Sequence, residues 1–418
     1  MKSPSSGTGC LVSAGDGERK GLRLTLRTQA GTRKQKGSSM ADSVIYSSDS
    51  HLVEQPDLWT ERIDPRFKDR APHMVYNDTD RGDWWYVDGA RLFSGLGGAD
   101  TGRRFDAPET LRTEARFEET RAGAYEPEIR IHDMEIDGVY GEVLYPTLGL
   151  LVYWLQDGEL LSAICRAYND WVAEFCRADP KRLKGIAMIN VDDVDDAVGE
   201  LKRSAKMGLS GAMITVYPYE EKSYNRPFYE PFWAAAEELG MSLSLHVATN
   251  RGRRGGDPAT QEDDAFTVKH DLALISARAY WVQVSIARMI FSGVFERYPA
   301  LQVISTEHEV AWAAHLLTAM DYSYTQRSRE HQYRYKTDAL PSDFFHKNVS
   351  ISFQEDAIGI QLRSFIGVDN LMWGSDYPHA ESTFPRSREI LDRILAGIPE
   401  EERARIAGLN AKKLFGFS

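Results

Sequence analysis

LKGIAMINVDDVDDAVGELKRSAKMGLSGAMITV, residues 183–216, decides the fold. The apolar run LKGIAMIN (183–190) has the length and composition of a buried strand. The amphipathic VDDVDDAVGELKRSAKMG follows and stops at Gly208, where a helix would take its C-terminal cap. SGAMITV (210–216) then reads as a second strand. Strand, helix, strand in so few residues is the signature of a parallel pair joined by a crossover helix.

The same alternation extends in both directions. VIYSSDSHL (44–52) and VYGEVLYPT (139–147) read as strands upstream. Downstream, FYEPFWAAAEELG (228–240) is a helix closing on Gly240, and MSLSLHVA (241–248) is a strand. LQVISTEH (301–308), VSISF (349–353) and LMWGSD (371–376) complete a set of eight strands. Eight such units predict an α/β fold, a distorted (β/α)8 TIM barrel. An open doubly wound sheet is the rival, but no GxGxxG follows the first strand, so its usual dinucleotide rationale is missing.

Two long excursions interrupt the pattern, after the first and fifth strands. Residues 57–137 carry Trp59, Trp84 and Trp85 and are too long for a bare loop, so helices or a hairpin are expected there. Residues 249–300 begin with NRGRRGG (250–256). Both leave the C-terminal ends of strands, where they either cover the barrel mouth or decorate the surface.

Composition sets the outer bounds. With 418 residues, 42% of them hydrophobic, the chain can bury a large core. A net charge of −12 argues against nucleic acid and anionic membrane surfaces as partners. Cys10, Cys165 and Cys176 are far apart and form no CxxC pair, which fits a reduced, cytoplasmic setting without thiolate metal sites. No apolar run approaches the roughly 20 residues of a membrane helix. Residues 1–39 stand apart, rich in Ser, Gly, Lys and Arg, with eight basic residues against two acidic ones. Residues 1–40 are therefore expected to be a disordered or non-native extension, with a basic, Ser-rich targeting segment as the alternative. The folded domain is expected over 41–418.

The chemistry collects at strand ends, where (β/α)8 barrels carry their reactive groups. Asp49 and His51, two apart on the first strand, point to one face. His246 closes the fifth strand, Glu307 and His308 the sixth, and Asp376 the eighth. Imidazoles with carboxylates are the donors of a borderline divalent metal such as Zn2+, Mn2+ or Fe2+. Singly, each has a plainer reading: Asp49 as a turn cap, His246 as a packed polar group, Asp376 as an Asx-turn before Tyr-Pro. Together at one mouth they read as a single metal centre. A carboxylate ending the buried WGSD run also needs a partner, since an unpaired one costs several kcal/mol. His73, His132, His270, His315, His331 and His346 fall in predicted loops or helices and read as solvated or structural.

DSHLVEQPDLW, LHVATN, FERYPALQVISTEHEVAW, LMWGSDYPHAESTFP and LNAKKLFGF together resemble the amidohydrolase-2 family, in the branch that includes aminocarboxymuconate-semialdehyde decarboxylase and several aromatic-acid decarboxylases. The resemblance runs from about Val44 to Phe417. It implies one divalent metal ion, Zn2+ first with Mn2+ or Fe2+ as alternatives, held by Asp49, His51, His246 and Asp376. It also implies a homo-oligomer. The chain departs from that pattern in two places. The first-strand motif is DxH, where the family often has HxH or ExH. Glu307 takes the place of a histidine that serves as general acid/base in the family, so Glu307 is the first candidate for a second proton carrier and His308, reached through a bulge, the other.

Two reactions follow, both on a small carboxylate or cyclic substrate. In the first, Asp376 protonates an aromatic or enolic acid and CO2 leaves. In the second, Asp376 serves as base in a hydrolysis of an amide, ester, lactone or C–C bond. A catalytically silent binding protein is the remote third reading. His379 either contacts substrate or hydrogen-bonds within its loop. Arg251, Arg253 and Arg254 are either carboxylate partners or part of a solvated loop.

Overall fold

Leu183–Met188 and Gly211–Ile214 are strands, and Val194–Lys206 between them is a helix. The computed structural model describes residues 43–94, 98–112, 114–251, 276–327 and 334–418. The expected extension over 1–40 lies outside the described residues, as do Arg253, Arg254, His270 and His331.

The strands, in chain order, are β1 (Ile45–Leu52), β2 (His73–Asn77), β3 (Gly82–Val87), β4 (Ala90–Ser94), β5 (Val139–Pro146), β6 (Leu183–Met188), β7 (Gly211–Ile214), β8 (Ser242–His246), β9 (Val303–Thr306), β10 (Val349–Phe353) and β11 (Leu371–Trp373). All eight strands expected from the sequence are present. They form one parallel sheet in the order β1-β5-β6-β7-β8-β9-β10-β11 that curls into a nearly closed barrel, the predicted TIM-barrel architecture. Helices between strands cover its outside. Val194–Lys206 is capped by the Asp193 side chain, which accepts from Asp196 N at 3.0 Å, and stops before Gly208, whose φ of +90° suits glycine. Helix Gly158–Cys176 buries Leu160, Leu161, Ile164 and Tyr168 completely, each contributing roughly 1.5–3 kcal/mol of transfer free energy for the aliphatic cases.

The seam between β11 and β1 is built differently from the other pairings. Ser48 Oγ donates to Trp373 O at 2.9 Å and meets Ser352 Oγ at 2.7 Å. Ser375 N donates to Ser47 Oγ at 2.9 Å. Nearer the mouth, main-chain bonds resume: Asp376 N to Asp49 O at 2.9 Å and His51 N to Tyr377 O at 2.6 Å. Gly374 lies so close to β1 that a Cβ there would stand 2.5 Å from the Asp49 Cβ. On its other side, β1 pairs with β5 with a register irregularity between Ser47 and Ser50. At the opposite end, Phe417 packs 4.9 Å from the Tyr46 ring, and Asn410 Nδ2 donates to Val368 O and Leu371 O at 2.8 Å each.

The first excursion contains both helices and strands. β2, β3 and β4 form an antiparallel three-stranded sheet, one strand more than a hairpin. Trp85 from β3 sits edge-on to Trp59, ring centroids 5.6 Å apart, and Trp59 Nε1 donates to Ile164 O at 3.1 Å. Further along, Arg104 Nε donates to Ser382 O at 2.8 Å, so this segment covers the loop after β11 at the barrel mouth. Among the described residues no helix is long and apolar enough to cross a membrane.

Candidate metal centre

β1 carries all eight of its residues buried, although only Ile45, Tyr46 and Leu52 have large apolar or aromatic side chains. Its polar side chains are therefore held by the barrel end. Asp49 and His51 project together, as their spacing predicts. His51 Nδ1 donates to Pro146 O at 2.7 Å, which leaves Nε2 with its lone pair exposed to the mouth. His246, last residue of β8, donates from Nδ1 to Val247 O at 3.1 Å and presents Nε2 in the same way. The two rings stand edge to face, centroids 5.1 Å apart.

Asp49 Oδ1 lies between them, 3.4 Å from His51 Nε2 and 3.5 Å from His246 Nε2. All three of these atoms are buried without a hydrogen-bond partner. Buried polar atoms are normally satisfied, so three converging exceptions need a common partner. Lone pairs on two imidazoles and a carboxylate, each ring oriented by a carbonyl behind it, are the arrangement that holds a divalent cation. Glu307 adds a carboxylate: Oε2 is 3.8 Å from His246 Nε2, and the ligand atoms of Asp49, His51, His246 and Glu307 all lie within 4.8 Å of one another. Asp376 is brought to the same mouth, Oδ1 3.3 Å from His51 Nε2.

Glu307 directly follows the last residue of β9 and Asp376 lies three residues past the end of β11, and both have left-handed backbones, with φ of +65° and +58°. Such conformations are uncommon outside glycine and cluster at functional sites. His308, one position on, is buried with Nδ1 3.2 Å from Ser305 Oγ and Nε2 unpartnered, and it stands outside the four-residue cluster.

The charges are coupled. Burial works to raise the Asp49 carboxyl, but the His246 and His51 imidazoles beside it outweigh burial and hold the group well below the usual range. Burial, then the charge of His379, lowers His51. For His246 burial opposes the charged ring, and the Asp49 carboxylate reverses the balance and raises it. Burial and the neighbouring Asp376 charge push Glu307 up. Burial and His246 lower His308 well below an ordinary imidazole.

His379 has both nitrogens engaged within the protein. Nδ1 is 2.8 Å from Asp376 Oδ1 and Nε2 is 3.0 Å from Thr147 Oγ1, while its ring lies 4.2 Å from that of His51. Burial opposes its charged form, yet Asp376 raises it to about 9. Thr147, one residue past β5, was not among the sequence candidates; its place at a strand end was the available signal. Arg251 is a correction to both sequence readings. It is 1% exposed, ion-paired with Asp192 and bonded to Tyr153 O at 2.5 Å, so it is neither a solvated loop residue nor free for substrate.

A parallel eight-stranded barrel with this cluster at its C-terminal mouth defines a metal-dependent enzyme of the amidohydrolase type. The chain belongs to the Amidohydrolase family, whose model matches residues 152–417. It is 25% identical over 339 residues to the gamma-resorcylate decarboxylase of Rhizobium sp. (strain MTP-10005), covering 74% of this chain and 95% of that one. Among solved structures, an amidohydrolase of Mycobacterium avium subsp. paratuberculosis K-10 superposes with a TM-score of 0.71 at 22% identity, covering 90% of this chain and all of that one. The dihydroxybenzoic acid decarboxylase of Polaromonas sp. JS666, solved with bound manganese and 2-nitroresorcinol, gives a TM-score of 0.61 at 19% identity over 90% of this chain and 97% of that one.

Proposed function

We propose that the protein is a divalent-metal-dependent carboxy-lyase that removes the carboxyl group of an aromatic or enolic acid without oxidation. The observation that carries this reading is the juxtaposition of three unpartnered buried donors, Asp49 Oδ1, His51 Nε2 and His246 Nε2, with a separate Asp376–His379 pair at the same mouth. Likeness to a decarboxylase over most of both chains supports it.

Asp49, His51 and His246 would hold the metal. A divalent ion held there would supply Lewis-acid polarisation of a substrate oxygen. Zn2+ is the first expectation on affinity, with Mn2+ and Fe2+ suited to the same nitrogen and oxygen donors. Asp376 delivers its proton to the ring carbon that bears the carboxylate. The C–C bond then breaks, its electron pair returns to the ring, and CO2 departs; Asp376 regains a proton from solvent. His379, fixed by Thr147, keeps the Asp376 carboxyl oriented throughout. Glu307 is the better placed of the two sixth-strand candidates for a supporting role, with His308 outside the cluster. The substrate is a small carboxylate in a cytoplasmic reaction, carried out by a homo-oligomer.

The test is isotopic. Incubation of the metal-loaded protein with gamma-resorcylate and related ortho-hydroxy aromatic acids in deuterated water is expected to release CO2 and place deuterium on the vacated carbon. Incorporation of oxygen-18 from labelled water into product, without CO2, would overturn the reading in favour of hydrolysis. Failure to take up any divalent metal would point to a silent binding protein.

A further inference from the structure

We infer that Arg130 is a positioning residue of the proposed reaction: its buried guanidinium fixes the His51 peptide against Tyr377, and so sets where Asp376 stands relative to the metal donors. The inference rests on the reaction proposed above and adds to it a residue that lies behind the centre and touches neither metal nor substrate.

Arg130 lies on helix Pro127–Asp137, which leads from the first excursion into β5, and its side chain is fully buried. Nη1 donates to His51 O at 2.8 Å, and Nε donates to Glu142 Oε2 on β5 at 2.5 Å. Glu142 Oε1 accepts from Ser50 Oγ at 3.2 Å, so one ion pair holds two consecutive residues of β1. The guanidinium also lies over the Tyr377 ring, 4.4 Å from its centroid. One helical turn on, Asp133 Oδ2 accepts from the Tyr377 hydroxyl at 2.5 Å. The His51 N–H in turn donates to Tyr377 O at 2.6 Å. These contacts close a ring, from Arg130 to His51, from His51 to Tyr377, and from Tyr377 back to Arg130. The ring joins the residue that turns Nε2 to the mouth with the residue next to Asp376. Fold stability alone gives little reason for it. A buried ion pair is often matched by apolar groups of like volume, and Arg130 Nη2 is buried with no hydrogen-bond partner among the described residues, a further cost. What an apolar pair cannot supply is a directed donor on His51 O together with a flat cation over Tyr377.

The experiment compares the full chain, loaded with Mn2+, with Arg130→Met, Arg130→Met/Glu142→Met and Arg130→Lys. Arg130→Met strands a buried carboxylate and is expected to lower the urea midpoint; the double variant takes out both charges and is expected to restore it. The restored protein should still bind Mn2+, yet its kcat on the ortho-hydroxy aromatic acid that wild type turns over should stay about tenfold or more below wild type, with KM little changed. Amide exchange of the same proteins without substrate should be faster than wild type over β1 and residues 374–379, and unchanged over helix Gly158–Cys176. The inference is overturned if the double variant regains kcat together with stability, if it loses Mn2+, or if exchange over those two segments matches wild type. Arg130→Lys keeps the result readable if the double variant does not fold. Its single ammonium can pair with Glu142 but lacks the fork that also reaches His51 O, so wild-type kcat and exchange in Arg130→Lys would equally overturn the inference. If wild type turns over no such acid, the proposed reaction fails, while amide exchange still decides whether Arg130 holds the two segments.

Discussion

His379 Nδ1 lies 2.8 Å from Asp376 Oδ1, and the same ring reaches Thr147 Oγ1 at 3.0 Å from its other nitrogen. A chain of this kind fixes where the Asp376 carboxyl points. Thr147→Val is expected to lower kcat by about tenfold, the lower end of losses seen when groups behind a site are removed, with KM and metal content little changed. His379→Ala should lower kcat further, and Asp376→Asn should abolish turnover. Steady-state kinetics with parallel metal analysis checks this. An increase in KM alone for His379→Ala would instead make His379 a substrate contact.

Three buried donors lack partners, so a divalent ion that they hold is expected to stabilise the fold. A ligand that binds only the folded state stabilises by about 2.7 kcal/mol at a hundredfold excess over its Kd. Thermal melts with chelator and with Mn2+ should differ by several degrees, and the difference should vanish in His51→Ala/His246→Ala.

Gly374 holds β11 against β1, where an added Cβ would sit 2.5 Å from the Asp49 Cβ. Gly374→Ala is expected to cost about 1–3 kcal/mol through overpacking and to weaken metal binding by displacing Asp49. Urea unfolding and a Mn2+ titration measure the two effects. Full metal affinity in a destabilised variant would uncouple the seam from the centre.

Arg251 pairs with Asp192 and donates to main-chain carbonyls from a position 1% exposed. Breaking a buried pair on one side costs about 3–5 kcal/mol. Arg251→Met should lower the urea midpoint by a corresponding amount without raising KM, and a raised KM at unchanged stability would return it to the substrate site.

Two buried acids set a pH dependence of stability away from the metal. Burial pushes Glu54 up to about 7, against backbone N–H groups of Leu148 and Gly149 that favour its charged form. Burial likewise pushes Asp137 up to about 6 despite hydrogen bonds from Ser387. Both groups release their protons nearer pH 4 in the unfolded chain, about 4.3 for Glu and 3.9 for Asp. Between about pH 4 and 7 the folded state therefore binds more protons, so stability is full below about pH 4 for these groups and falls as pH rises toward 7. Urea unfolding from pH 4.5 to 7.5 should show that decline, reduced in Glu54→Gln.

The barrel was legible because its strands are short apolar or β-branched runs ended by glycine or charge, and every parallel strand needs a helix to return. The first excursion was less legible. β2 is half exposed, with Val75 and Tyr76 open to solvent, so its residues lack the clean two-residue period of a buried strand. Asp49, His51 and His246 could be placed because strand ends converge in a barrel. The sequence put Glu307 ahead of His308 without fixing which side chain joins the donor cluster; that depends on the backbone just past β9, where Glu307 has a φ of +65° and enters the cluster. Arg251 looked like one of three loop arginines; its burial depends on Asp192, which belongs to a different strand–helix connection. Thr147 carries a hydroxyl that advertises no metal chemistry, and only its distance to His379 gives it meaning.

The joint between β11 and β1 relies on serine hydroxyls where other neighbours use a regular ladder. Amide hydrogens along that joint should exchange with solvent sooner than those of β7 or β8, and a bound cation drawing on β1 would slow them. The cylinder would then be fastened along its least laced edge by the ion it carries, and loss of that ion would be felt first as fraying between its first and last staves.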